Sequence, residues 1–456
     1  TGARESDESV QDKCGMPIAK RVPKERVFHG DTFIDEYEWL RDKESHDVQD
    51  YVAAQNRYCE QRMEPLKTLR STLFDELKSH VQENDMSVPT RMDGYWYFVR
   101  TQEGQQYAVQ CRVPIRSADD WDPPTIEIGV PIDGEQVVFD TNAEAQGHDF
   151  FRIGGMDISK DGRWMLYGTD TSGDERYDFR IRSLETGKEL PEVFKGIGGA
   201  CFTPDAQWVF YVKLDDAWRP YAVMRHRAVT DDVEVYHEQD ERFWVGIGLS
   251  FDERNLVIGT GSKTTTEVLL LSTDDPEGEF RAFIPREQDV EYDVSFSRFE
   301  GAGERGEDIP LAVVYHNALN PNFEIDVIDM RSHEPPYRLG EGVRVAVGSP
   351  YGCEYGDEVE PGASGMPIGT PYSNPCNPAI LQGAHGLGIE GISIHRHYVA
   401  LQYRAESLTH IAVMTKDAAA EDFLAGRPWK FTELVPHALE DDWDVDESVD
   451  EINEER

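Results

Sequence analysis

A mainly β fold, a propeller of four-stranded blades preceded by two helices, is what this sequence predicts, and three observations predict it. First, short runs rich in Tyr, Trp, Val and Ile recur from about residue 86 onward, bounded by Gly, Asp or Asn. Runs of this kind are strands closed by turns. Six stand out: YWYFVRT (95–101), WMLYGTD (164–170), WVFYVKLD (208–215), LVIGTGS (256–262), LAVVYHN (311–317) and YVALQYR (398–404). Second, the middle runs begin at 164, 208, 256 and 311, close to the period of roughly 40–50 residues of a propeller blade. Third, three of them share a lead-in: DISKDGRW (157–164), FTPDAQW (202–208) and LSFDERN (249–255). In each, a strand ends, a turn carries Asp161, Asp205 or Asp252, and the next strand begins; an Asp side chain holds such a turn by bonding its backbone.

In chain order, residues 1–16 are polar and charged and are expected to be disordered. Residues 17–85 form an arm. Its first part is extended and contains HGDTFIDEYEWLRD (29–42), where Tyr37 and Trp39 would each forgo roughly 1.5–3 kcal/mol if left in water. A helix follows, capped by Ser45 or Asp47, with Val48, Tyr51, Val52, Gln55, Tyr58, Cys59 and Met63 at helical spacing. Pro65 punctuates, and a second helical run carries Leu66, Leu69, Leu73, Phe74, Leu77 and Val81. Two apolar helix faces need a partner surface. Residues 86–436 are the propeller, with YDFRIRSLETGKEL (177–190) an outer hairpin and the Gly/Pro-rich stretch 349–391 a long surface loop. Residues 437–456 are an acidic, solvated tail.

The formal net charge of −43 excludes nucleic acid as a partner, because that needs a basic footprint. It favours cationic peptides or amines, unless the acid serves only to keep the chain dispersed. Cys14, Cys59, Cys111, Cys201, Cys353 and Cys376 contain no C-x-x-C pair, which argues against a zinc site and a disulfide framework, although Cys353 and Cys376 share one loop. No apolar run approaches the roughly 18 residues that span a bilayer, and no signal-like apolar segment is visible. A cytoplasmic protein without a membrane partner is therefore expected. The chain begins with Thr1 rather than Met, so a trimmed chain or a piece of a longer one is expected as well.

Reaction chemistry is sparse. A hydrolase serine needs Gly-x-Ser-x-Gly on a strand-to-helix turn; the nearest approach is Ser364 in GASGMPIG, inside the Gly/Pro loop. His395 and His397 of HRH would share one face of a strand and could ligate zinc with a carboxylate, against the plainer reading of two surface histidines. DTSGDERYD (170–178) lacks the spacing of a calcium loop. GIGG (196–199) and GIG (246–248) sit where small residues let strands crowd together. No metal or cofactor is expected.

Beside this reading stands a resemblance. PIAKRVPKERVFHGDTFIDEYEWLRDKES (17–45), with support from GGMDISKDGRWM (154–165), PREQDVEYDVSF (285–296) and EGISIHRHYVALQYR (390–404), resembles the prolyl oligopeptidase family, and within it the oligopeptidase B branch. The resemblance implies a seven-bladed propeller, of which about six blades are present, covering a C-terminal α/β-hydrolase domain with a Ser-Asp-His triad. It implies a serine endopeptidase that hydrolyses short basic peptides after Arg or Lys. The hydrolase domain would be the intramolecular partner of this chain and would bury Tyr37, Trp39 and the helix faces. No triad position has a counterpart here, so the chain alone is expected to be inactive. First strands of blades line a central channel, which makes Asp157 and Asp293 candidate channel-lining acids, unless each points into blade packing or a turn. The competing reading is a free-standing, non-catalytic propeller that binds a peptide or protein; it leaves the apolar arm without a purpose. A metal-centred lactonase would need a ring of inward ligands that the sequence does not assemble.

Overall fold

The computed structural model of the protein describes residues 15–228, 231–347, 388–405 and 408–434. Ser364, Cys353, Cys376, nearly all of the insertion and the acidic tail lie outside the described residues. The chain divides into two compact units, Thr1–Glu83 and Asn84–Arg456.

The first unit opens with a hairpin of Lys24–Phe28 and Asp31–Asp35, in register through Phe28 and Asp31. Its two turn residues, His29 and Gly30, both have positive φ (50° and 82°), the geometry that matches strand twist in a two-residue loop. Helix α1 (His46–Met63) starts at Ser45, whose Oγ accepts the Val48 N–H at 3.4 Å. This settles the cap in favour of Ser45 over Asp47. Helix α2 (Lys67–Ser79) follows a short turn begun by Pro65. Trp39 is half-buried within its own unit: its Nε1 donates to the Lys20 carbonyl at 2.8 Å, and its ring meets Tyr51 of α1 edge-on at 6.0 Å. Tyr37 remains exposed. Trp39 therefore finds part of its cover within the arm, while Tyr37 does not.

The second unit is a series of antiparallel meanders. The first sheet joins Tyr95–Thr101, Val109–Pro114 and Gln136–Asp140; Asp85–Met86 and Thr90–Met92 pair in succession along its edge. Next comes a seven-stranded sheet, Arg152–Ile158, Trp164–Asp170, Tyr177–Ser183, Glu189–Phe202, Val209–Leu214, Pro220–His226 and Val233–His237. Its central strand is 14 residues long. The first half pairs with Tyr177–Ser183 and the second half with Val209–Leu214. One strand thus ends one four-stranded unit and begins the next, running through GIGG. Three four-stranded sheets complete the series, starting at Trp244, Tyr292 and Gly388.

Successive units pack face to face. Phe139, Met165 and Tyr167 join the first to the second; Leu166, Phe179 and Tyr211 the second to the third; Phe210, Val245 and Leu256 the third to the fourth. Phe283, Phe296 and Val314, then Val313, Leu401 and Trp429, continue the series. Because middle strands are covered on both faces, they read as unbroken apolar runs such as LAVVYH rather than alternating ones.

The shared lead-in folds the same way three times. Asp161, Asp205 and Asp252 each accept a backbone N–H two residues on, from Arg163, Gln207 and Arg254, at 3.0–3.2 Å. Each also takes the hydroxyl of Ser159, Thr203 or Ser250 at 2.6 Å. That hydroxyl in turn accepts the N–H of Trp164, Trp208 or Asn255. The next residue after each Asp, Gly162, Ala206 or Glu253, carries a positive φ of 69°, 53° or 58°.

Candidate functional site

A meander places the turn between its first and second strands at one end, and the start of its first strand at the other. The two ends of the second unit differ. At the first-turn end, units that do not follow one another touch. Lys160 Nζ lies 2.7 Å from Oε2 of buried Glu253, joining the second unit to the fourth. Phe251 of the fourth meets His395 of the sixth edge-on at 6.5 Å. Trp121 of the first meets His397 of the sixth at 5.5 Å, with the Arg91 guanidinium 3.7 Å above the Trp121 ring.

The candidate acids fall at opposite ends. Asp157, near the end of its strand, accepts the Phe202 N–H at 2.8 Å and so fastens the first strand of the second unit to that of the third. Asp293, second in its strand, is exposed, and its Oδ1 accepts the N–H of the following Val294 at 2.8 Å. Partial desolvation by the surrounding protein pushes the Asp293 carboxyl above the ordinary carboxylate range. The structure does not bring the two acids together.

His395 and His397 occupy the turn between Gly388–Ile394 and Tyr398–Ala405, not one face of a strand. His395 is buried, stacked on Tyr398 at 4.3 Å, with Nε2 3.0 Å from Ser393 Oγ. The turn removes the shared strand face that a zinc pair needed, and the surface reading holds for exposed His397 but not for buried His395. The acidic turn at 170–178 is knotted by its own backbone: Asp170 accepts the N–H groups of Ser172, Gly173 and Glu175. Burial works against the Asp170 anion, and those three donors overcome it and hold its carboxyl below the usual range.

A buried cluster escaped the sequence reading. His316, Glu324 and Asp326 are almost fully enclosed, and their ligand atoms lie close enough for one metal ion. The hydrogen bonds argue otherwise. His316 Nδ1 accepts the Ala318 N–H at 3.3 Å, which leaves the ring proton on Nε2, aimed at Asp326 Oδ2 at 2.9 Å. A protonated nitrogen has no lone pair for a metal. Arg344 Nη2 stands 2.9 Å from Glu324 Oε1, and burial raises the Glu324 carboxyl. The arrangement is an internal ion cluster. His316 ends a strand-like apolar run, and nothing local marks its partners.

The start-of-strand end carries a cavity of about 420 Å³ between the first strands of the third and fourth units. Trp218, Trp244, Tyr177 and Glu175 line it, together with Gly198, Gly199 and Gly246. The glycines do not all serve packing. A Cβ on Gly198 would press on Leu214 at 2.9 Å, but at Gly199 nothing lies within 4 Å and at Gly246 only the Gly259 carbonyl at 4.0 Å. Sequence reasoning passed over both tryptophans, since large aromatics are expected inside.

Residues 17–300 match the family described as prolyl oligopeptidase, N-terminal β-propeller domain. Dipeptidyl aminopeptidase BI of Pseudoxanthomonas mexicana is 33% identical over 285 residues, which cover 60% of this chain and 39% of that protein. Protease 2 of Moraxella lacunata is 27% identical over 311 residues, 67% of this chain and 42% of the relative. Among solved structures, oligopeptidase B from Trypanosoma brucei with covalently bound antipain shares the fold, with a TM-score of 0.68 at 22% identity, covering 93% of this chain and 54% of that one. The chain thus spans about two-fifths of the curated relatives' length. With that match over well more than half of its length, the chain belongs to the prolyl oligopeptidase family, as its N-terminal β-propeller domain.

Proposed function

We propose that this chain is the lid of a serine endopeptidase of the oligopeptidase B kind, which hydrolyses short peptides after Arg or Lys, and that its six four-stranded units are blades of a seven-bladed ring. In this reading Ser, His and Asp of a hydrolase domain perform acyl transfer. The present chain admits short peptides, excludes folded proteins and supplies an acidic field that draws basic ones. It has no catalytic turnover of its own.

The observation that carries the proposal is the unspent apolar surface of the arm. Leu69, Leu73, Phe74 and Leu77 of α2 are 54%, 47%, 65% and 67% exposed, and no residue of α2 is buried. A helix with such a face needs a second surface. Cys59 and Cys111 carry free thiols, the first exposed and the second buried. Among the described residues no helix is long and apolar enough to cross a membrane.

The test is peptidase activity of this chain and of the full natural gene product, on chromogenic amides of Arg, Lys and Leu and on the same Arg bond within a folded protein. The expected result is no turnover by the chain alone, and cleavage by the full product of the Arg and Lys peptides only. Turnover by the chain alone, or preference for Leu, overturns the reading.

A further inference from the structure

We infer that the 420 Å³ cavity between the third and fourth units is a binding cup for a cationic side chain, the guanidinium or ammonium group of a peptide Arg or Lys. This deepens the lid reading and rests on it for the statement that peptides are the natural ligands. The cup itself is argued from its walls.

Two indoles supply those walls, and both are open to water: Trp218 is 38% exposed and Trp244 59%. A lone exposed Trp is unremarkable, but two on one concavity are an apolar and π-rich surface awaiting a guest. Trp218 is fixed in place. Its Nε1 donates to the Asp174 carbonyl at 2.6 Å, and its backbone is held at a left-handed φ of 64°. Glu175, across the rim, has a left-handed φ of 61°, and its N–H is tied to Asp170 Oδ2 at 2.9 Å. Two bulky residues in that conformation cost free energy that the surrounding turns must offset.

The charge of the guest follows from three features. The Arg176 guanidinium already occupies one face of the Trp218 ring at 4.0 Å, which leaves exposed Trp244 as the indole that meets an incoming cation. Glu175 adds a carboxylate at the rim, one oxygen of which takes Arg152 Nη1 at 3.1 Å. The chain as a whole, at −43, repels anionic guests and concentrates cationic ones. Depth comes from Gly199 and Gly246, where the missing side chains leave the floor open.

The experiment is fluorescence anisotropy of a labelled tripeptide amide, Gly-Arg-Gly, titrated with this chain. The citrulline counterpart, neutral but of the same shape, and Gly-Phe-Gly serve as controls. Expected is saturable binding of the Arg peptide that falls about tenfold in Trp244→Ala, the factor that ~1.4 kcal/mol of cation–π attraction supplies. Gly199→Leu, which fills the floor without touching either indole, is expected to weaken binding similarly, and citrulline to bind about tenfold more weakly than Arg. Unchanged binding in both variants overturns the cup, as does absence of binding to the unaltered chain. Citrulline or Phe binding as tightly as Arg overturns the cationic guest. Each of these results leaves the peptidase assay on the full gene product unaffected, so failure of the cup and failure of the lid reading are separable.

Discussion

The two ends of the strand meanders obey different rules. At the first-turn end, turns are tied to turns of other units, through Lys160 and Glu253, Phe251 and His395, Trp121 and His397. At the start-of-strand end, Asp170 binds the N–H groups that follow it, Trp218 reaches only the adjacent unit, at the Asp174 carbonyl, and a cavity stays open between the third and fourth units. The same side-chain type does opposite work at the two ends. Asp157 and Asp252 satisfy backbone donors where the protein is knit, whereas the surroundings of Asp293 disfavour its charge. The difference teaches that stability and access are divided along the length of each strand, with one end holding the units together and the other presenting a surface.

The largest effects that would break this comparison belong to the knit end. Asp252→Ala leaves the Arg254 N–H and the Ser250 hydroxyl without their acceptor, and Asp157→Ala does the same for the Phe202 N–H. Each is expected to cost ~1–3 kcal/mol in urea unfolding. A loss no larger than that of Trp244→Ala, an exposed residue expected to change stability by less than about 0.5 kcal/mol, would erase the distinction.

Glu253→Gln comes next. Glu253 is buried but Lys160 is 41% exposed, so water screens the pair, and a cost of about 1 kcal/mol is expected. The cost should shrink in 1 M salt, where screening acts within about 3 Å. An effect that does not move with salt would mean packing, not charge, links those turns.

Acid titration sharpens the contrast further. Burial opposes the Asp161 anion, but the Ser159 hydroxyl and the Arg163 N–H outweigh it and hold its carboxyl below the ordinary value. Its contribution is therefore present above the unfolded-state pKa near 4 and is lost as pH falls through the lower folded value. Asp293 has the opposite sign: its folded value is raised, so its contribution is best below pH 4 and is lost as pH rises through the folded value. Asp161→Asn is expected to flatten the acid limb of a stability profile, while Asp293→Asn steepens it above about pH 4.

The smallest expected effect is a gain. Asp293→Asn removes a carboxylate that burial disfavours and should raise the melting temperature at pH 7 by about 1–2 °C, with no change near pH 3. A drop at pH 7 would place Asp293 among the stabilising acids and dissolve the comparison.

Much of the fold was legible because its signals are local. Tyr, Trp and Val runs announce strands, Ser45 announces a helix start, and the Asp of DISKDGRW, FTPDAQW and LSFDERN announces a turn that all three complete with the same bonds. What stayed hidden depends on distance in the chain. Nothing near Lys160 points to Glu253, and nothing near His316 announces a cluster that includes Arg344. GIGG marked the start of a repeat where strands crowd, but nothing in it announces that one strand runs through it from the preceding unit, its register shifting between Ile197 and Gly199. The cup was missed for the opposite reason: rules of burial send tryptophan inward, and Trp244 stays out because its strand begins at an open mouth.

That uninterrupted run from Glu189 to Phe202 has a mechanical consequence. Hydrogen bonds along it weld two neighbouring four-stranded units into one plate, so movement between units is expected at the other seams, where side-chain packing and a few backbone bonds such as Tyr337 N–H to the Phe283 carbonyl hold neighbours together. A peptide that widens the assembly would do so between plates, and the hinge would be sought at those seams, not within this one.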